Sequence, residues 1–256
     1  MSFPRKLPIG IQSFKDLREK GFLYVDKTEY LFRLINSSKV YFLSRPRRFG
    51  KSLFLSTLSA YFRGQKKLFK DLYLEKAEEE QAVLENRPAW QEYPVLYLDF
   101  NTKNYTDEQA LVDILNLHLD EWEAHYSIPK TAAAPEDRFR LLTAALFKQT
   151  GKQVVILVDE YDKPLLQTMG VNEALNERYR NELKAFYSVI KTCDEYIRFA
   201  FLTGVTKFSK ISIFSDLNNL RDISLEKHYA GIWVCPKKNW KQTFNLKYKC
   251  LPIVKT

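Results

Sequence analysis

The stretch Val40-Tyr41-Phe42-Leu43-Ser44-Arg45-Pro46-Arg47-Arg48-Phe49-Gly50-Lys51-Ser52 decides how the rest of this 256-residue chain is read. It opens as a short, β-prone apolar run, Val40–Leu43, that reads as a buried strand. A polar loop, Ser44–Lys51, follows. Ser52–Phe62 then reads as a helix, with Leu55, Leu58 and Phe62 on one face. The loop matches the pattern G-x-x-x-x-G-K-[ST] except at its first position, where Arg45 stands in place of glycine. Gly50 lets the backbone turn closely around phosphate oxygens, and Lys51 sets a cation against the β- and γ-phosphates. Ser52 opens the helix, where its hydroxyl can ligate Mg²⁺ and free N–H groups face an anion. Gly-Lys-Ser alone is a common tripeptide, and the bland alternative is a basic loop ending in an ordinary helix cap.

A second segment favours the phosphate reading. Val154–Val158 is an unbroken apolar run, as suits a parallel strand covered on both faces, and it ends in Asp159–Glu160. That is a Walker B arrangement, in which the Asp holds the Mg²⁺ shell and the Glu polarises an attacking water. Both motifs follow the carboxyl ends of their strands, where parallel sheets bind ligands. A third strand, Ile197–Thr203, ends in Thr203, placed to contact the γ-phosphate or the water; a plain Thr–Gly turn is the alternative. Arg45, Arg47, Arg48 and Lys51 repel one another unless a polyanion balances them. A triphosphate is one such polyanion, a nucleic-acid backbone is another, and a solvated basic loop is the bland reading. The nucleotide-cradling set is Arg45, Arg47, Arg48, Phe49, Gly50, Lys51, Ser52 and Leu53. Ser52 and Asp159 are the metal positions, and Lys51, Glu160 and Thr203 the catalytic ones.

Outward from these motifs, strands alternate with helices. Residues 1–39 read as a lead-in, with a strand-like Leu23–Tyr24–Val25 and a helix capped by Asp26 and Thr28 that carries Tyr30, Leu31, Leu34 and Ile35. Residues 64–92 are charged, with helical pieces. Val95–Phe100 reads as a strand. A helix capped by Asp107 runs to about Tyr126. Ala132–Pro135 is a small linker, and another helix runs to about Thr150. A helix from about Asn172 to Thr192 precedes the Thr203 strand, and Lys207–Asp222 reads as a loop–helix passage. The alternation predicts an α/β three-layer sandwich with a mostly parallel sheet.

Composition narrows the function classes. No stretch approaches the length of an apolar membrane span, and no apolar run follows Arg5 and Lys6 as in a secretory signal. The three cysteines are widely spaced and form no CxxC pair, which argues against a zinc site or disulfide framework and for a reducing, cytoplasmic location. His118, His125 and His228 have no metal-ligand spacing. The net charge is +9, but Tyr229–Thr256 holds six lysines and no acid, so the basic balance lies largely in the tail.

The residues resemble the bacterial and archaeal AAA-ATPase-like family. The matching pieces are Tyr24–Thr28, Ser44–Ser52, Leu98–Phe100, Val158–Pro164, Leu202–Val205 and Phe214–Leu220, within about residues 5–231. The resemblance implies an additional-strand P-loop NTPase fold, ATP as the nucleotide, Glu160 as the catalytic base, and Arg45 as normal for its position. It also implies that Asp26–Lys27–Thr28 lies near the nucleotide. Asp99 and Asp162 read either as groups around the metal shell or, preferably, as element caps. Proteins of this kind often continue into a restriction-endonuclease-like domain, which is not expected within these 256 residues. Residues 232–256 are expected to be an aberrant or truncated basic tail, or a lysine-rich segment with Trp233 and Trp240 that touches nucleic acid.

The expected function is ATP hydrolysis with Mg²⁺, coupled to a conformational switch or to a nucleic-acid process. The alternative is a nucleotide-binding scaffold or sensor with little hydrolysis. A kinase ranks lower, because a Glu beside the Walker Asp favours activating water. A nucleic acid, a protein partner and a second copy of the chain remain open as partners, and a membrane is not expected.

Overall fold

The computed structural model describes residues 6–206, 213, 214, 217 and 219–232. Five strands, β1 (Val40–Ser44), β2 (Val95–Asp99), β3 (Val154–Asp159), β4 (Ile197–Gly204) and β5 (Leu220–Asp222), form one sheet in the order β2-β3-β4-β1-β5. Every pairing is parallel. Every residue of β1 and β3 is buried, as sequences apolar on both faces require when helices cover both sides.

Alternation along the strands sorts side chains into two cores. Phe42, Leu96, Ile156, Val158 and Leu202 face α5 (Ala110–Tyr126), α6 (Pro135–Thr150) and α8 (Glu173–Thr192), meeting Leu115, Leu142 and Phe186. Tyr41, Leu43, Val155, Leu157 and Phe201 face the other way, onto α2 (Thr28–Ile35), α3 (Lys51–Phe62) and α4 (Tyr73–Leu84), meeting Leu31, Leu55 and Leu74. The register between β3 and β4 slips once: Val154 pairs with Ile197 but Val155 with Phe199. The unpaired Arg198 is a bulge, and it explains why Ile197 and Ala200 lie in the same core. Two short helices complete the described elements used below, α1 (Phe14–Glu19) and α7 (Lys163–Thr168).

The strand order positions the chemistry. β4 lies between β1 and β3, so the phosphate-loop strand and the Asp159 strand stand two spacings apart, roughly 10 Å. Only long side chains span that gap, and Thr203 sits at the tip of the strand between.

Several local expectations are corrected. Leu23–Tyr24–Val25 is not a strand; it is irregular backbone whose apolar residues face a cavity rather than a sheet. The β2 strand ends at Asp99, whose carboxylate accepts from the Asn101 N–H at 2.8 Å and opens a 3-10 turn with Phe100. Pro135 is not linker but the start of α6, where its missing N–H costs no hydrogen bond. Within the expected loop–helix passage, Leu220–Asp222 is the edge strand β5. Asn172 caps α8 by accepting from Leu175 N–H at 3.0 Å. The basic tail from Trp233 onward lies outside the described residues.

Candidate functional site

The chain leaves β1 through Arg45 and turns into α3 at Gly50, whose φ of +77° is one that L side chains rarely adopt. No atom lies within 4 Å of where a Cβ would sit, so backbone conformation, not crowding, requires glycine there. Arg48 also has a positive φ of +69°. The turn leaves the unpaired N–H groups of the first turn of α3 facing the carboxyl edge of the sheet.

Lys51 is buried and reaches across that edge. Its Nζ stands 3.1 Å from Glu160 Oε1 and donates to the carbonyl oxygens of Arg45 at 3.0 Å and Pro46 at 3.4 Å. Only 4% of the Lys51 side chain and 9% of the Glu160 side chain is exposed. A desolvated pair of this kind persists only when further hydrogen bonds satisfy its ammonium, as the two carbonyls do here. Glu160 itself has φ +54°, left-handed backbone for a non-glycine residue. Such conformations cost of order 1–3 kcal/mol and collect at functional sites.

Asp159, at the tip of β3, is 2% exposed. Burial pushes its carboxyl above the usual range; hydrogen bonds from Ser52 and Thr203 oppose the shift, and the charges of Asp99 and Glu160 add to it. Thr203 Oγ1 donates to Asp159 Oδ1 at 2.7 Å. Thr203 is fully buried, and its hydroxyl faces the carboxylate rather than open space.

The turn after β3 is clamped to the end of β4. Tyr161 N–H donates to Thr203 O at 2.9 Å. Asp162 is fully buried and accepts from Val205 N–H, Thr206 N–H and the Thr206 hydroxyl. Asp162 stands at the N-cap position of α7 without capping it through its side chain; its carboxylate ties the turn to the segment after β4 instead. Gly204 is required by close approach, since a Cβ there would stand 2.3 Å from the Tyr161 ring.

A cleft of about 830 Å³ opens over these groups, lined by Arg47, Arg48, Lys51, Ser52, Asn101 and Glu160 among others. Arg45 is not among its lining residues: its guanidinium donates to Ser44 O at 3.3 Å. Phe49 lies 46% exposed at the mouth of a neighbouring cavity. Asp26 turns to structural work, accepting from the Thr28 N–H and hydroxyl and from Tyr73 N–H at 2.7 Å, which ties α2 to α4. Sequence reading missed the far wall of the cleft, residues 8–12, and Asn101. The available signal was the apolar Ile9 beside Gly10, now 87% exposed.

The donor set suits Mg²⁺ that arrives with a phosphate ligand. Among the described residues no group of three or more His, Cys, Asp or Glu side chains forms a metal cage. One hydroxyl and one carboxylate, Ser52 and Asp159, line the same groove along α3. Mg²⁺ characteristically takes one or two carboxylates and completes its shell with substrate phosphates and waters.

A parallel sheet with a phosphate-type loop after β1, an acidic pair after β3 and an intervening β4 defines the P-loop NTPase class of fold. The chain belongs to the AAA-ATPase-like family, described as "Predicted AAA-ATPase", whose model matches residues 8–214. It is 43% identical over 230 residues to a protein of Azotobacter chroococcum mcd 1 named "Uncharacterized protein in vnfD 5'region". That similarity covers 89% of this chain and 42% of the relative, so the chain spans less than half the relative's length. No solved structure matches. No helix among the described residues is long and apolar enough to cross a membrane.

Proposed function

We propose that this chain binds ATP with Mg²⁺ and hydrolyses its terminal phosphate, acting in the cytoplasm. The observation that carries this reading is the meeting of Lys51 with Glu160 at 3.1 Å and of Ser52 with Asp159, across strands that only the parallel sheet brings together. Ser52 and Asp159 would hold the Mg²⁺, which would neutralise charge on the β- and γ-phosphates.

The residues divide the work. Backbone N–H groups at the start of α3 take the phosphate oxygens, and Arg47 and Arg48 face the same cleft. Lys51 exchanges Glu160 and the loop carbonyls for the β,γ-phosphate oxygens. Glu160, released, accepts a proton from a water whose oxygen bonds to the γ-phosphorus. The bond from that phosphorus to the bridging oxygen breaks, and the electron pair leaves with ADP. Thr203 and Asp162 orient Asp159 and the turn that carries Glu160.

A second reading draws on one observation. The Lys51–Glu160 pair engages base and phosphate ligand with each other, as a nucleotide-holding sensor with slow hydrolysis would at rest. Phosphate release from Mg·ATP, measured beside nucleotide titration, separates the two. Release that disappears in Lys51→Ala together with binding supports the ATPase. Binding without release supports the sensor, and no binding by the wild-type chain refutes both. Stimulation by DNA that fades with added salt would assign a nucleic-acid partner.

A further inference from the structure

Lys163 opens α7, in the turn that carries Glu160, and the reaction proposed above gives it no part. It is nevertheless tied to two residues of the phosphate cleft. Its backbone N–H donates to Glu160 O at 3.0 Å. Its Nζ crosses to the loop beyond β2 and donates to Asn101 O at 2.6 Å. Asn101 and Glu160 both line the cleft, together with Lys51 and Ser52. The backbone of Asn101 is held on its other group as well, because Asp99 Oδ1 accepts from its N–H at 2.8 Å.

We propose that Lys163 is a positioning residue. By joining the carbonyl of Glu160 to that of Asn101, it keeps the backbone beneath Glu160 in place when the glutamate side chain leaves Lys51. The inference rests on the hydrolytic reading above and adds the residue that keeps its base aligned.

Two observations make such a hold necessary. Glu160 has left-handed backbone, φ +54°, which a non-glycine residue keeps only where its surroundings impose it. Its side chain is also anchored, by Lys51 Nζ at 3.1 Å. A triphosphate that draws Lys51 away removes that anchor at the step where the position of Glu160 matters most. The backbone contacts of the turn then carry the alignment.

Those contacts reach both neighbours of β3, since β3 lies between β2 and β4. Toward β4, Tyr161 N–H donates to Thr203 O, and Asp162 accepts from Val205 and Thr206. Toward β2, the tie at the cleft is the long side chain of Lys163. A single exposed hydrogen bond adds little to stability. Its weight lies in geometry, because a misplacement of about 1 Å at a reacting group can cost about a hundredfold in rate.

The same helix supplies a control. One turn further along α7, Gln167 Oε1 accepts from Tyr105 N–H at 2.8 Å and ties α7 to the same loop. Gln167 does not line the cleft. A tie that only supports the fold should behave like Gln167, and one that aligns Glu160 should not.

Wild type, Lys163→Met, Lys163→Arg and Gln167→Ala are compared in the full chain. The measurements are titration with Mg·ATP, phosphate release, and titration with Mg·ADP plus aluminium fluoride, a mimic of the phosphoryl group in transfer. Lys163→Met should bind Mg·ATP within about twofold of wild type, release phosphate about tenfold or more slowly, and bind the mimic about tenfold or more weakly. Lys163→Arg, which still donates to Asn101 O, should recover most of both losses. Gln167→Ala should melt lower and keep wild-type release. Wild-type release from Lys163→Met overturns the inference. So does Mg·ATP affinity that falls in step with release, which would make Lys163 a phosphate ligand. An arginine variant as slow as the methionine variant, or equal slowing in Gln167→Ala, overturns it too. A wild type that binds no Mg·ATP, or binds it and releases no phosphate, overturns the hydrolytic reading and this one with it.

Discussion

Lys51 cannot serve Glu160 and a phosphate at once. The buried pair holds the lysine in the loop, with Arg45 and Pro46 carbonyls completing its hydrogen bonds. Lys51→Ala therefore removes the cation the phosphates need and leaves Glu160 buried without its partner. We expect nucleotide binding to vanish in titration and the thermal midpoint to fall; unchanged affinity would contradict the loop's assignment. Asp159 makes a prediction of opposite sign. Burial raises its carboxyl pKa above the unfolded value, so the folded state favours the protonated form. That preference stabilises the fold at low pH and is lost as pH rises through the folded pKa. Asp159→Asn should thus melt higher than wild type at neutral pH without nucleotide, and the gap should close below about pH 4, the ordinary Asp range. A gap independent of pH would show that ionised Asp159 carries no burial penalty.

At the scale of elements, the site depends on one close approach and one buried tether. The turn after β3 packs on Gly204 at the tip of β4, and a methyl group there meets the Tyr161 ring and Asp162 Oδ1. Gly204→Ala should cost about 1–3 kcal/mol by overpacking, read as a lower denaturant midpoint, and should also slow turnover by displacing Glu160. Wild-type stability would mean the turn relaxes freely. Between α5 and α6, fully buried Arg138 reaches Glu123, Asp120 and Asn116. Arg138→Met leaves Glu123 buried and unpaired, a loss of about 3–5 kcal/mol. The tether lies away from the cleft, so nucleotide affinity of the folded variant should stay as it was; a large change in affinity would refute that separation. These elements were unequally legible. The β1 and β3 strands announce themselves because both faces are covered and every residue is apolar or nearly so. The edge strand β5 has three half-buried residues and leans on β1 alone, too short for a periodicity to register.

Across the whole molecule, the carboxyl edge gathers groups from β1, β3 and β4 that are far apart in sequence, and motif reading anticipated that gathering. Spacing alone placed Lys51, Ser52, Asp159 and Glu160 on one edge, because strand-end chemistry needs only the alternation of strands and helices. It left out the lead-in, where Pro8–Gln12 and Leu23–Val25 wall the cleft and its neighbour. Irregular apolar backbone carries no period, so it read as a strand or as nothing. Arg45 is associated with phosphate by its place in the motif and Asp26 by the family resemblance; in the structure the Arg45 guanidinium donates to Ser44 O, and Asp26 accepts from Thr28 and Tyr73. A ligand bound only by the folded chain must also stabilise it. Mg·ATP at a hundred times its Kd adds about 2.7 kcal/mol, roughly 5–10 °C in Tm for a chain of this size. No shift at saturating nucleotide would mean that the edge holds no nucleotide. The most direct measurement compares wild type with Glu160→Gln for both Mg·ATP affinity and phosphate release. Affinity that is kept or tightened, because Lys51 is no longer held by a carboxylate, with release slowed about a hundredfold or more, is the predicted result. Equal release from the two proteins would contradict the assignment of Glu160 and the switch built on its pairing with Lys51.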